Sequence, residues 1–193
     1  MTIQIYGPSA SRVPRVTWCA KELGIPFETV DVPWDKLKEP AFLAINPNGK
    51  SPGLVDGNLK LFESLAINLY LAKKYGPGKL YPTNIDDEAR VLQWTLWAAT
   101  ELEHLVLPLA LVKLGVSKDV AGAQAGAERA KPALKVLDGH LKGRQWIVGD
   151  RFSVADLNVA SVIATGRFGG LDVSAYPDLA AWLDRCLARP ARN

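Results

Sequence analysis

Residues 45–76 read INPNGKSPGLVDGNLKLFESLAINLYLAKKYG. Two apolar runs, Gly53 to Val55 and Leu59 to Phe62, flank Asp56-Gly57-Asn58. Asp-Gly between apolar runs is a hairpin signal, because the turn needs a residue that accepts positive φ. Ahead of the hairpin lies a polar loop, Asn46 to Ser51, that enters the first strand through Pro52. A proline opening a strand after such a loop is a candidate for a cis peptide bond. Behind the hairpin, Phe62 passes through Glu63 into a helical pattern from Ser64 to Tyr75, broken by Gly76-Pro77-Gly78.

On the N-terminal side, Ile3 to Tyr6 reads as a strand and Gly7 to Ser11 as a loop. A helix is expected from near Pro14, since proline fits a first helical turn where its missing N–H has no partner. Val16, Cys19, Ala20 and Leu23 form one apolar stripe, and Gly24 is placed to cap it. Phe27 to Val32 reads as a second strand, parallel to the first through the intervening helix. A short helix is expected around Pro40 to Ala44. The order β-α-β, then β-β-α, predicts a small mixed sheet with helices packed on it.

Beyond Gly78 the pattern is helical. Asp86 to about Gly115 is one long run rich in Trp and Leu. Ala127, Ala130, Leu134, Leu137 and Leu141 repeat in steps of three and four. Pro132 predicts a kink or a late start there. Ser153-Val154-Ala155-Asp156 resembles a capping box with Asp in place of Glu, and opens a helix to Ala164 that is apolar nearly all round. Leu179, Trp182, Leu183, Cys186 and Leu187 make a last amphipathic helix, stopped near Pro190. The expected domains are 1–78, α/β, and 86–193, all-helical, joined by a linker over 79–85.

Composition narrows the function. The chain has 193 residues, 48% apolar and 22% charged, as a folded protein has. The net charge of +3 comes without a Lys/Arg run, which argues against nucleic acid. No stretch reaches the roughly 18 apolar residues of a membrane span. Met1-Thr2-Ile3-Gln4 has neither the charged nor the apolar segment of a secretory signal, so a cytoplasmic location is expected. Cys19 and Cys186 are far apart within apolar helical patterns and read as packing residues; His104 and His140 are isolated, and no metal site is expected.

Three segments carry candidate chemistry. In Tyr6-Gly7-Pro8-Ser9-Ala10-Ser11-Arg12, a hydroxyl stands between a strand end and a helix start, where unpaired N–H groups and the helix dipole favour an anion such as a thiolate. Ser11 is the best placed, Ser9 is its rival, and a plain helix cap accounts for either. In Lys50-Ser51-Pro52, a cis bond would turn the Ser51 backbone outward to pair with a peptide-like ligand, and Lys50 could meet a carboxylate. A Pro-rich turn with a solvated Lys accounts for the same residues. Glu63 suits an ammonium, and Ser64 with the first helical N–H groups suits a neighbouring carboxylate. Together these two fit the end of an α-amino acid; a Ser cap beside a solvated Glu is the ordinary alternative.

The string at residues 45–76, together with WIVGDRFSVADLNVASVIA at residues 146–164 and YPDLAAWLDRCLARP at residues 176–190, resembles the glutathione transferase superfamily over nearly the whole chain. The N-terminal part looks most like the phi class and the related bacterial serine-type enzymes. The resemblance implies a thioredoxin-like domain that binds glutathione, followed by an all-helical domain. It implies Ser11 as the activating serine and Pro52 as the cis proline, with the Ser51 backbone on the cysteinyl part of glutathione. Lys50 falls near the glycyl carboxylate, with Lys38 or Lys36 a further candidate, and Glu63 and Ser64 hold the γ-glutamyl end. Arg12, Trp97 and Phe168 become candidates for the second-substrate pocket, and Ser153 with Asp156 a structural helix cap. Tyr6 lies within the strand, against a tyrosine-type mechanism, and no Cys comes after the first strand, against the cysteine-type classes. The chain stops soon after Pro190, which implies a more open second-substrate site. The implied activity is conjugation of glutathione, as co-substrate, to small apolar electrophiles by a homodimer. Peroxide or disulfide reduction, dehalogenation, or a non-catalytic binding module are the alternatives.

Overall fold

The computed structural model describes residues 2–192; Met1 and Asn193, the outermost residues of the two expected domains, lie outside the described residues. The chain forms two compact units. One runs to Tyr81 and takes in the turn Pro190–Arg192; the other is Pro82–Arg189. The first unit thus continues past residue 78, because Leu80 and Tyr81 are buried and the Gly78 N–H bonds the Tyr81 carbonyl at 2.8 Å. Pro190–Arg192 joins it by packing on the helix Val13–Leu23, with the Arg192 guanidinium 5.8 Å from the Trp18 ring.

The first unit contains β1 (Ile3–Tyr6), α1 (Val13–Leu23), β2 (Phe27–Val30), α2 (Pro40–Leu43), β3 (Gly53–Asp56), β4 (Leu59–Phe62) and α3 (Ser64–Tyr75). The sheet order is β2-β1-β3-β4, with β1 and β2 parallel and the other pairs antiparallel. Pairing of Asp56 with Leu59 leaves Gly57-Asn58 as a two-residue turn, as the Asp-Gly signal predicts. Ile3 and Ile5 alternate into the core, where the α1 stripe of Val16, Cys19, Ala20 and Leu23 meets Ile67 and Leu71 of α3. Burying each such aliphatic side chain contributes about 1.5–3 kcal/mol. Gly24 takes the left-handed conformation, φ 70°, that ends α1. At the far end of α3, the hydroxyls of Tyr70 and Tyr75 and the Lys74 ammonium all donate to one Asp56 oxygen, at 2.8, 2.7 and 2.7 Å. This ties the hairpin to the helix. Cys19 is fully buried; burial, then the nearby Glu22 charge, pushes its thiol pKa far up, so it is a packing group and not a nucleophile.

The second unit holds α4 (Ile85–Trp97), α5 (His104–Lys113), α6 (Val120–Leu141), α7 (Val154–Phe168) and α8 (Pro177–Leu187). Between α4 and α5 the helix does not break; it widens into a π-helical segment, Ala98–Glu103. The whole run Ile85–Lys113, 29 residues, is long and apolar enough to cross a membrane by length and composition. This departs from the expectation of no such stretch. In the protein, Val91, Trp94, Ala98, Leu102, Leu105 and Val106 of this run are buried in the helical unit. α6 runs unbroken through Pro132 from Val120, so there is no late start. Of its seam, Ala130, Leu134, Leu137 and Leu141 are buried and Ala127 half-buried. α7 extends four residues beyond Ala164, to Phe168, and is buried on nearly every side over its first ten residues.

Candidate functional site

Strand register brings the three candidate segments of the first unit together. Tyr6 pairs with Gly53, and Gly53 pairs with Phe62, so the end of β1, the start of β3 and the end of β4 stand abreast. Three pieces of chain therefore converge at one end of the sheet. They are the loop from Tyr6 to Ser11, the Lys50-Ser51-Pro52 corner ahead of Gly53, and Glu63-Ser64 at the start of α3.

The Ser11 hydroxyl is half-buried. It donates to the Pro8 carbonyl at 2.6 Å and accepts the Val13 N–H at 3.2 Å. It thus stands against the first N–H of α1, whose N-cap residue, Arg12, makes no side-chain cap. Ser11 and Ser51 place their hydroxyl oxygens 2.7 Å apart. Ser9 is exposed on the preceding turn. The Tyr6 hydroxyl points back along its own strand to the Gln4 side chain, 2.9 Å away, and Tyr6 helps line a cavity of 120 Å³ with Val32, Phe42 and Ile45.

The Ser51-Pro52 peptide bond is cis. The loop that carries it is built around Asn46, which is buried. Its side-chain amide donates to the carbonyls of Lys50 and Pro52, and its side-chain oxygen accepts the Asn48 N–H at 3.0 Å. One side chain therefore clamps both sides of the Ser51 corner. Lys38 lies over this loop, its ammonium 2.9 Å from the Asn48 carbonyl, whereas Lys36 is paired with Glu39 at 2.5 Å. Lys50 itself is exposed.

Glu63 stands at the N-cap of α3 with φ 67°, a conformation that costs a residue with a Cβ about 1–3 kcal/mol, and its side chain makes no cap. Ser64 is the first helical residue rather than the cap, and is buried. Its hydroxyl accepts from Arg15, which reaches it from α1 at 3.4 Å and is itself only 5% exposed. A buried guanidinium behind a helix start makes that spot favourable for a carboxylate. Neither Arg15 nor Asn46 is among the residues that the sequence motifs single out. Arg15 is four residues before Cys19 and so in phase with the apolar stripe, a signal that was present; Asn46 opens the loop as Asn-Pro and shows its role only through its partners.

These features coincide with a family match. A model of the glutathione S-transferase N-terminal domain matches residues 1–73, and one of the C-terminal domain matches residues 100–190. The chain belongs to the glutathione S-transferase family. It is 36% identical to glutathione S-transferase 3 of Zea mays, with 98% of this chain and 90% of that protein covered. Among solved structures it is similar to glutathione S-transferase-I bound with lactoylglutathione, at a TM-score of 0.87, 30% identity, and coverage of 100% and 97% of the two chains. It is also similar to the theta class enzyme of Xanthomonas axonopodis pv. citri with glutathione bound, at a TM-score of 0.89, 30% identity, and coverage of 99% and 95%. The first unit is therefore the family's thioredoxin-like domain and the second its helical domain.

In the helical domain, the Trp97 ring is half-buried, edge-on to Trp94 at 5.0 Å. Phe168 is 48% exposed, with the Lys113 ammonium 4.8 Å above its ring. Arg12 belongs to the other unit, half-buried at the start of α1. Among the described residues no cluster of His, Cys, Asp and Glu could hold a metal ion.

Proposed function

We propose that this protein binds glutathione at the end of its sheet and transfers the thiolate to small apolar electrophiles, with Ser11 as the catalytic residue. The observation that carries the reading is the line Tyr6–Gly53–Phe62. It supports one extended tripeptide spanning the three segments. The γ-glutamyl ammonium meets Glu63, and its carboxylate meets the Ser64 hydroxyl and N–H, backed by Arg15. The cysteinyl part pairs with the Ser51 backbone next to Pro52. The glycyl carboxylate falls to Lys50 and Lys38. The sulfur then lies toward Ser11.

Ser11 acts by turning its single proton from the Pro8 carbonyl to the sulfur. A free thiol has a pKa of about 8.5, and the thiolate is the nucleophile. Lowering that value by about 2 units takes roughly 2.7 kcal/mol, the size of one charge-assisted hydrogen bond with help from the α1 N-terminus. The thiolate attacks an electrophilic carbon; with a chloroarene the C–S bond forms and chloride leaves. Arg12, next to Ser11 at the start of α1, is proposed to contact the apolar substrate. The working form is proposed to be a cytoplasmic homodimer.

The test is turnover of a chloroarene with glutathione. Ser11→Ala is expected to lower kcat by about 30–100-fold below the thiol pKa, to move the rate–pH profile upward, and to leave the KM for glutathione within about threefold. Unchanged turnover would remove Ser11 from the role.

A further inference from the structure

Ser51 takes part in the proposed glutathione site through its backbone, yet its side chain is turned onto Ser11. The two oxygens are 2.7 Å apart. A hydroxyl has one proton to give. The Ser11 proton is engaged with the Pro8 carbonyl at 2.6 Å, so the proton between the two serines comes from Ser51. Ser11 then accepts two donors, the Ser51 hydroxyl and the Val13 N–H at 3.2 Å. Space for this arrangement is kept by Gly7. With φ 139°, any Cβ there would lie 2.0 Å from the Ser51 hydroxyl oxygen.

An oxygen that accepts hydrogen bonds becomes a better donor through its own O–H, since a chain of hydrogen bonds polarises along its length. We propose that Ser51 is a positioning residue of the glutathione site. Its hydroxyl donates to Ser11, fixes the rotamer of that side chain, and strengthens the hydrogen bond that Ser11 gives to the glutathione thiolate. This rests on the reading that Ser11 meets the sulfur. The proton inventory is unchanged through the step: Ser11 redirects its proton from Pro8 to sulfur, and Ser51 keeps donating throughout.

Thr and Val have the same shape and differ by the hydroxyl, so Ser51→Thr and Ser51→Val separate chemistry from packing. The thiol of bound glutathione is titrated by its thiolate ultraviolet absorbance, beside kcat, KM and thermal unfolding of each variant. S51V is expected to raise the bound thiol's pKa by about 0.5–1 unit and to lower kcat/KM by about 3–10-fold below it, with KM for glutathione changed less than about twofold. S51T is expected to titrate within about 0.2 units of the parent. Equal titration of S51V and S51T, whether shifted or not, overturns the proposal. Ser11→Ala is the control: if it raises the bound thiol's pKa and S51V does not, the Ser51 role alone falls. If Ser11→Ala leaves that pKa in place, the reading of Ser11 falls with it.

Discussion

α7 and α3 both start with a serine and an acid, Ser153 with Asp156 three residues on and Glu63 directly before Ser64, and they start in opposite ways. At α7, Ser153 and Asp156 close a capping box. The buried Asp156 carboxylate accepts from the N–H groups of Ile147 and Ser153 at 2.8 and 2.9 Å, the Ser153 hydroxyl at 3.0 Å, and the Trp182 indole at 2.9 Å. Burial pushes its pKa up, and these donors pull the other way. At α3, Glu63 sits at positive φ, makes no cap, and leaves its carboxylate exposed. The same contrast divides the units. The starts of α4 and α6 are closed by Asn84 and Asp119, and the Leu179 N–H in the first turn of α8 donates to Asp138 at 2.9 Å. At α1 and α3 the N-cap side chains make no cap; the first N–H of α1 is met instead by the Ser11 hydroxyl at 3.2 Å, and both starts face the proposed glutathione site. α4, α6, α7 and α8 fill their first turns with fixed side chains, whereas α3 leaves its N-cap carboxylate in solvent.

The contrast is open to attack from its most costly side first. Asp156→Ala leaves four donors in the core without an acceptor and is expected to cost about 3–5 kcal/mol of stability. A urea unfolding free energy that fell by less than about 1 kcal/mol would show that α7 does not depend on its cap. Ser64→Ala is expected to do the reverse. Glutathione affinity should fall about 10-fold by calorimetry, in line with one lost hydrogen bond to a charge, while the free protein loses far less stability than Asp156→Ala does, because the one protein contact removed, from Arg15, is long at 3.4 Å. A smaller effect is expected of Glu63→Gly. It relieves the φ 67° strain and should stabilise the free protein by about 1 kcal/mol while weakening glutathione; destabilisation would mean that Glu63 is held there for folding.

The smallest effect lies at the other end of α3. Burial raises the pKa of Asp56, but hydrogen bonds from Lys74, Tyr75 and Tyr70 outweigh it and hold the carboxyl below the usual range. A folded value below the unfolded one means that this contribution is present above the ordinary carboxylate pKa and is lost as pH falls through the folded value. Between about pH 6 and about pH 3, the parent should lose slightly more stability than Asp56→Asn in matched urea titrations. Equal losses would detach Asp56 from the acid response.

Consecutive letters specify the elements and put each candidate segment at an element's end. Strand alternation, the Asp-Gly turn, the α1 stripe and the α7 cap depend on residues within one or two turns of each other, and such patterns are written in consecutive letters. Whatever depends on register, or on partners far along the chain, waits for the folded molecule. Arg15 reaches Ser64 across 49 residues, the Ser11 and Ser51 hydroxyls meet across 40, and Asp138 closes α8 across 41. The π-helical turn at Ala98–Glu103 and the positive φ of Glu63 likewise have no local signature: neither carries the Gly or Pro that marks unusual backbone in a sequence. A hydrogen bond is short-ranged in space, so which of several serines and acids become a site is settled only once the sheet brings their ends together.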